Sequence, residues 1–116
     1  MTLVGYGQTK RITQREVYAK IVNAEIAHPV VVLRQAIHES ANFKSKATVN
    51  RNNILGIRSG RMSFSSIDDC ISFYKKWQDR RYKSGDYYRF ITRIGYAEDP
   101  KYIQKLKAVP IDFEIE

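Results

Sequence analysis

The chain has 116 residues, 43% of them apolar and 28% charged, with a formal net charge of +8 and a pI near 9.7. The length reads as one domain over residues 1–116, with a core over about 12–108, and no apolar run approaches the roughly 18 residues that a membrane-spanning helix needs. Such an excess of base points to an anionic partner, whether nucleic acid, acidic lipid or a cell-wall polymer, and does not choose among them.

The first residues, MTLVGYGQTKRITQ, carry neither an apolar core segment nor a small-residue cleavage site, so no signal peptide is expected there. Delivery by another route, of the phage-release type, or a leader already trimmed away are both compatible with that reading. Thr13-Gln14-Arg15-Glu16 is a capping box and opens a helix to about Ala24, with Val17, Ile21 and Ala24 on one face. His28-Pro29 punctuates, and proline suits the first turn of a second helix. Leu33, Ala36, Ile37 and Ser40 follow at spacing i, i+3, i+4, i+7, as in a closely packed central helix. The β-branched run Val30-Val31-Val32 also fits a strand.

Residues 42–66 are rich in asparagine, glycine and serine, which form turns. They read as an irregular lobe or a short hairpin from Ile54 to Phe64, turning at Ser59-Gly60. Ser65 or Ser66 then caps a long helix, Ile67 to about Tyr82, whose apolar face is Ile67, Cys70, Ile71, Tyr74 and Trp77. Gly85-Asp86 breaks it. A helix over Tyr87–Ile94 is stopped by Gly95, and Asp99-Pro100 begins a last helix to about Ala108, with Asp99 as N-cap. The acidic tail, Asp112 to Glu116, is expected to be loosely held. The fold class is thus mainly α, with about five helices around a cleft and a short, reduced hairpin lobe.

Cys70 sits among apolar neighbours at helical spacing and reads as a small buried hydrophobe. No pair of histidines, cysteines or carboxylates has metal-ligand spacing, no glycine loop for phosphate is present, and no cofactor is implied. The basic cluster Lys75, Lys76, Arg80, Arg81 and Lys83 falls on one helix and reads first as a solvated face. With no helix-turn-helix or aromatic-basic signature, nucleic acid is not the expected partner. Glu39 stands near the end of the small-residue helix, just before the polar lobe. A carboxyl between a helical body and a polar lobe would be partly desolvated, held protonated, and so fitted to act as a general acid. A surface glutamate on an amphipathic helix is the bland alternative.

Four segments bear on that choice. Gln35-Ala36-Ile37-His38-Glu39-Ser40 resembles the Q-A-x-x-E-S segment of the glucosaminidase family, the bacterial autolysin and flagellar muramidase-like group. Asn52-Asn53-Ile54-Leu55-Gly56-Ile57 is similar to its N-N-L-x-G-I stretch, and residues 64–71 to its aromatic-x-S-x-x-(D/E)-S-I segment. Gly95-Tyr96-Ala97-Glu98-Asp99-Pro100-Lys101-Tyr102 is close to G-Y-A-x-D-P-x-Y, the most specific of the four. The segments occur in the family's order over roughly residues 12–108.

The resemblance implies a lysozyme-like fold, of the mainly-α, α+β kind. It also implies hydrolysis of the β-1,4 bond between N-acetylglucosamine and N-acetylmuramic acid in peptidoglycan, outside the cell or in the periplasm, by a monomer that does not insert in membranes. It makes Glu39 the acid, and puts Tyr96, Asn53, Gln35 and Gly56 at the substrate. Tyr96 equally fits a core tyrosine with a satisfied hydroxyl, and Asn53 and Gly56 equally fit ordinary turn residues. His38 is expected to be structural, because consecutive helical residues point about 100° apart.

One departure stands out. No Asp or Glu occurs between Glu39 and Asp68, where many family members are thought to carry a second carboxylate, and the lobe is instead basic: Lys44, Lys46, Arg51, Arg58 and Arg61. Asp68 or Asp69 could supply that carboxylate, although both also suit the first turn of their helix. The substrate's own 2-acetamido group could act as nucleophile, or the domain could bind glycan while cleaving it weakly. A lytic transglycosylase, which shares the fold and the Glu-Ser pair, is a further alternative.

Overall fold

The computed structural model describes residues 11–115; residues 1–10 and Glu116 lie outside them. Six helices follow in order among these residues: α1 Gln14–Asn23, α2 Pro29–Glu39, α3 Lys46–Arg51, α4 Ile67–Arg81, α5 Tyr87–Arg93 and α6 Tyr102–Lys107.

Local chemistry explains most of the boundaries. In the capping box of α1 the Thr13 hydroxyl accepts from the Glu16 amide at 3.0 Å, while Glu16 accepts from the Thr13 amide at 2.9 Å. Pro29 occupies the first turn of α2, and the whole Val30–Val32 run is helical, so the strand reading gives way: the buried stripe Val32, Leu33, Ala36, Ile37 packs against α1 and α6. Ser66 caps α4 and Asp86 caps α5, each side chain accepting from an amide three residues on.

Between α2 and α4 the lobe is made of turns and the short α3, with no strand among the described residues. Where the hairpin was expected, the Phe64 amide donates to the Arg51 carbonyl at 2.8 Å and the Asn52 side chain donates to the Phe64 carbonyl at 3.0 Å, closing a single loop. Asn53 fills that loop. Its amide donates to the Ile57 and Met62 carbonyls and accepts from the Ile57 amide, all within 2.9–3.0 Å. A side chain that satisfies three backbone groups removes the need for a ladder.

Two boundaries differ from expectation. The six-residue α3 lies inside the Asn- and Ser-rich stretch, capped by Ser45 and ended by a left-handed Asn52. α6 begins at Tyr102 rather than at Pro100; Asp99 accepts from the Lys101 amide in a turn before the helix and pairs with Lys105 at 2.5 Å.

Two tight turns flank the lobe's functional side. Ala41, Asn42 and Phe43 have φ of 51°, 55° and 68°, and Arg58, Ser59 and Gly60 have φ of 55°, 57° and 80°. A run of three residues in the left-handed region is unusual, because each non-glycine member costs about 1–2 kcal/mol.

Candidate active site

The helical body and the lobe enclose a cleft of about 830 Å³. Glu39, Gly56, Tyr96, Trp77, Arg58 and Arg81 are among its lining residues. Glu39 reaches it from the last turn of α2, where the buried Ser40 secures the helix end: its hydroxyl donates to the Ala36 carbonyl at 2.6 Å and accepts from the Phe43 amide at 2.8 Å. The lobe presses on the carboxyl from the other side. A Cβ on Gly56 would lie 2.5 Å from Glu39 Oε1, and Gly56 also has φ of +67°. Only glycine meets both conditions without strain.

Burial raises the pKa of Glu39 above the ordinary glutamate value; a hydrogen bond from Tyr102 and the nearby His38 work in the opposite sense. Desolvation dominates, so the carboxyl holds its proton to higher pH than an exposed glutamate. His38 is exposed and touches the site through an edge contact of its ring with Tyr102.

Behind Glu39 runs a buried chain of hydrogen bonds. The Ala27 amide donates to Gln78 Oε1 at 2.8 Å, which fixes the orientation of that side-chain amide. Gln78 Nε2 donates to the Tyr87 hydroxyl at 3.0 Å, and Tyr87 and Tyr74 share a 2.6 Å bond. Tyr74 donates to Gln35 Oε1 at 2.6 Å, so Tyr87 must donate to Tyr74. Gln35 Nε2 in turn donates to the Tyr102 hydroxyl at 3.3 Å, leaving the Tyr102 proton for Glu39.

The expected site residues separate on this geometry. Glu39, Gly56, Asn53 and Tyr96 line the cleft. Tyr96 presents its ring there while its hydroxyl donates to the Leu55 carbonyl at 2.6 Å, and Asn53 has its polar atoms engaged within the loop. Gln35 is corrected: it is fully buried, bonded at both ends of its amide, and stands behind Glu39 rather than at the cleft. Asp68 and Asp69 are corrected as well. Both are exposed at the start of α4 away from the cleft lining, Asp68 pairs with Lys20 at 2.8 Å, and Asp69 sits in the capped first turn.

The sequence reading did not single out several lining residues. Trp77 and Phe73 stand one helical turn apart on α4 and supply aromatic faces, whereas Tyr87 and Phe90 are core. Glu98, at the variable position of the Gly95–Tyr102 segment, is exposed and lines the cleft. Arg81 belongs to the basic helix cluster and yet faces the cleft from the last turn of α4. Cys70 is buried as expected, and burial pushes its thiol up to about 11, against amide bonds from Ile54 and Leu55.

Among the described residues no group of three or more His, Cys, Asp or Glu could hold a metal ion, and no helix is long and apolar enough to cross a membrane. A family model described as glucosaminidase, mannosyl-glycoprotein endo-beta-N-acetylglucosaminidase, matches residues 15–112. No curated protein and no solved structure matches the chain.

Proposed function

The chain belongs to the glucosaminidase family, and from that footing we propose that it is a peptidoglycan hydrolase acting on the bacterial cell wall, with Glu39 as its general acid. The bond cleaved is the β-1,4 linkage between N-acetylglucosamine and N-acetylmuramic acid. One observation carries the reading: a carboxyl whose pKa is raised by burial stands in a cleft with aromatic faces. Glu39 gives its proton to the glycosidic oxygen as the bond to the anomeric carbon breaks. The carbonyl oxygen of the substrate's own 2-acetamido group attacks that carbon, forming an oxazolinium ion. Water then opens the ion and returns a proton to the Glu39 carboxylate, so configuration is retained. This route asks for no carboxylate from the lobe, which has none.

A second reading is favoured by the position of Glu98 in the cleft lining. In it Glu98 activates water directly and the product forms with inverted configuration. In this reading the domain acts as a monomer, and its charge of +8 favours an anionic wall.

The test is digestion of purified peptidoglycan by the wild type and by Glu39→Gln, with the products analysed by mass spectrometry and by anomeric configuration. The expected result is release of fragments with reducing N-acetylglucosamine ends by the wild type, and a loss of at least about 100-fold in the variant. Activity should persist below the raised pKa of Glu39 and fall as pH rises through it, because the acid must carry its proton. Anhydro sugars would instead identify a lytic transglycosylase, and binding without release a wall-binding module.

A further inference from the structure

We infer that Arg58 and Arg81 form a carboxylate-recognition site in the cleft, which makes the domain select glycan strands bearing acidic substituents over neutral strands of the same linkage. This rests on the reading of the cleft as a glycan site and names the feature of the glycan that it takes.

Four observations converge. Arg58 and Arg81 line the same cleft as Glu39, one from the lobe and one from the last turn of α4. Neither guanidinium has a hydrogen bond or an ion pair among the described residues; the ion pairs there join Lys20 to Asp68, Lys75 to Asp79 and Lys105 to Asp99. The cleft is short of its own counter-charge. Glu39, whose pKa burial raises, and Glu98 are the carboxyls in the lining, while the lobe from residue 40 to 67 has no acid at all. Finally, Arg58 stands exposed on the left-handed turn 58–60, with φ of 55°. Non-glycine backbone in this sparsely populated region clusters at functional sites.

A planar guanidinium matches a carboxylate, with two parallel N–H···O bonds and a full charge. Sugar hydroxyls and acetamido groups offer no such partner. In a peptidoglycan strand a carboxylate is available from two sources. One is the stem peptide; the other is the lactyl ether itself, once the peptide has been removed. A homopolymer of N-acetylglucosamine has the same β-1,4 geometry and neither source.

The experiment measures binding to protein carrying Glu39→Gln, so that cleavage does not enter. Three soluble probes are compared by calorimetry: a peptide-bearing muropeptide tetrasaccharide, its peptide-free counterpart with a free lactyl carboxylate, and neutral chitotetraose. Arg58→Gln with Arg81→Gln is expected to lower the preference for a carboxylate-bearing probe over chitotetraose at least tenfold. Lys76→Gln with Lys83→Gln removes the same charge from outside the cleft lining and is expected to leave that preference in place. Whichever acidic probe loses affinity identifies the source of the carboxylate. Equal losses in the two double variants would reduce the effect to bulk attraction, and an unchanged preference in the arginine variant would remove the site; either overturns the inference. A preference that behaves as expected in a protein that cleaves no wall would uphold the recognition site and sink the hydrolase reading alone.

Discussion

The two left-handed turns have the same backbone hand and opposite support. At 41–43 every element is tied down. Phe43 is buried, its amide and those of Lys44 and Ser45 are held by Ser40, and the Asn42 amide donates to the Ile37 carbonyl at 2.8 Å. Gln14 on α1 donates to the Asn42 side chain at 3.1 Å and accepts from the Asp112 amide at 2.9 Å, so even the tail is joined to this turn. At 58–60 the bonds are local and near the surface, and Arg58 and Ser59 are exposed. One turn spends its strain on fixing the end of the helix that carries Glu39. The other leaves its strain to the side chains that it displays. Similar positive φ values therefore fix a helix end in one place and display side chains in the other, and only the surroundings tell them apart.

The sharpest way to break this comparison is to unpack each turn. Phe43→Ala should cost about 3–5 kcal/mol in urea denaturation, a large share of a small domain's stability, while Arg58→Ala should stay within about 0.5 kcal/mol. Similar costs at the two sites would mean that both turns are structural. Gly56 lies between them and tests how closely the lobe bears on the acid. Gly56→Ala should destabilise by about 1–2 kcal/mol through its positive φ, and it should lower turnover by up to about 100-fold by displacing the Glu39 carboxyl. A variant that is less stable yet fully active would show that the contact is not needed for catalysis. The smallest effect is expected at Ser59. Ser59→Gly relieves a left-handed serine and should raise the melting temperature slightly, by no more than the equivalent of about 1 kcal/mol. The same replacement at Ala41 should gain less, because packing already imposes that conformation; a larger gain there would reverse the order of the two turns.

How much of this was legible in the sequence depended on how local the cause was. The caps of α1 and α4, the breaks at Gly85 and Gly95, and the small-residue face of α2 all arise within a few residues and could be read directly. Glu39 was not separable from a surface glutamate by its position; the likeness of its segment and three later ones to the glucosaminidase family is what singled it out. The 41–43 turn was not legible, because Ala41 and Phe43 are poor left-handed residues, and long-range bonds from Gln14 and the burial of Phe43 impose the conformation. α3 hid behind Asn50, Asn52 and Asn53, of which only Asn50 is inside the helix. Gln35 was placed at the substrate through the family resemblance of its segment, but on α2 it faces the core. Glu98, Arg81 and Trp77 come to the cleft through tertiary packing, and no local pattern marks them.

The hydrogen bonds behind Glu39 have one more property: they share a direction. From Gln78 through Tyr87, Tyr74 and Gln35 to Tyr102, each group gives its proton toward the carboxyl and accepts from the group behind. Side chains from α2, α4, α5 and α6 thereby sum to a single dipole with its positive end at Glu39, the field that the first turn of a helix presents to an anion. Its sense is set at the Ala27 backbone, in the link between α1 and α2, where one amide proton holds the Gln78 oxygen. The polarity felt by the acid is thus written into the α1–α2 connection, and reaches it through five intervening side chains.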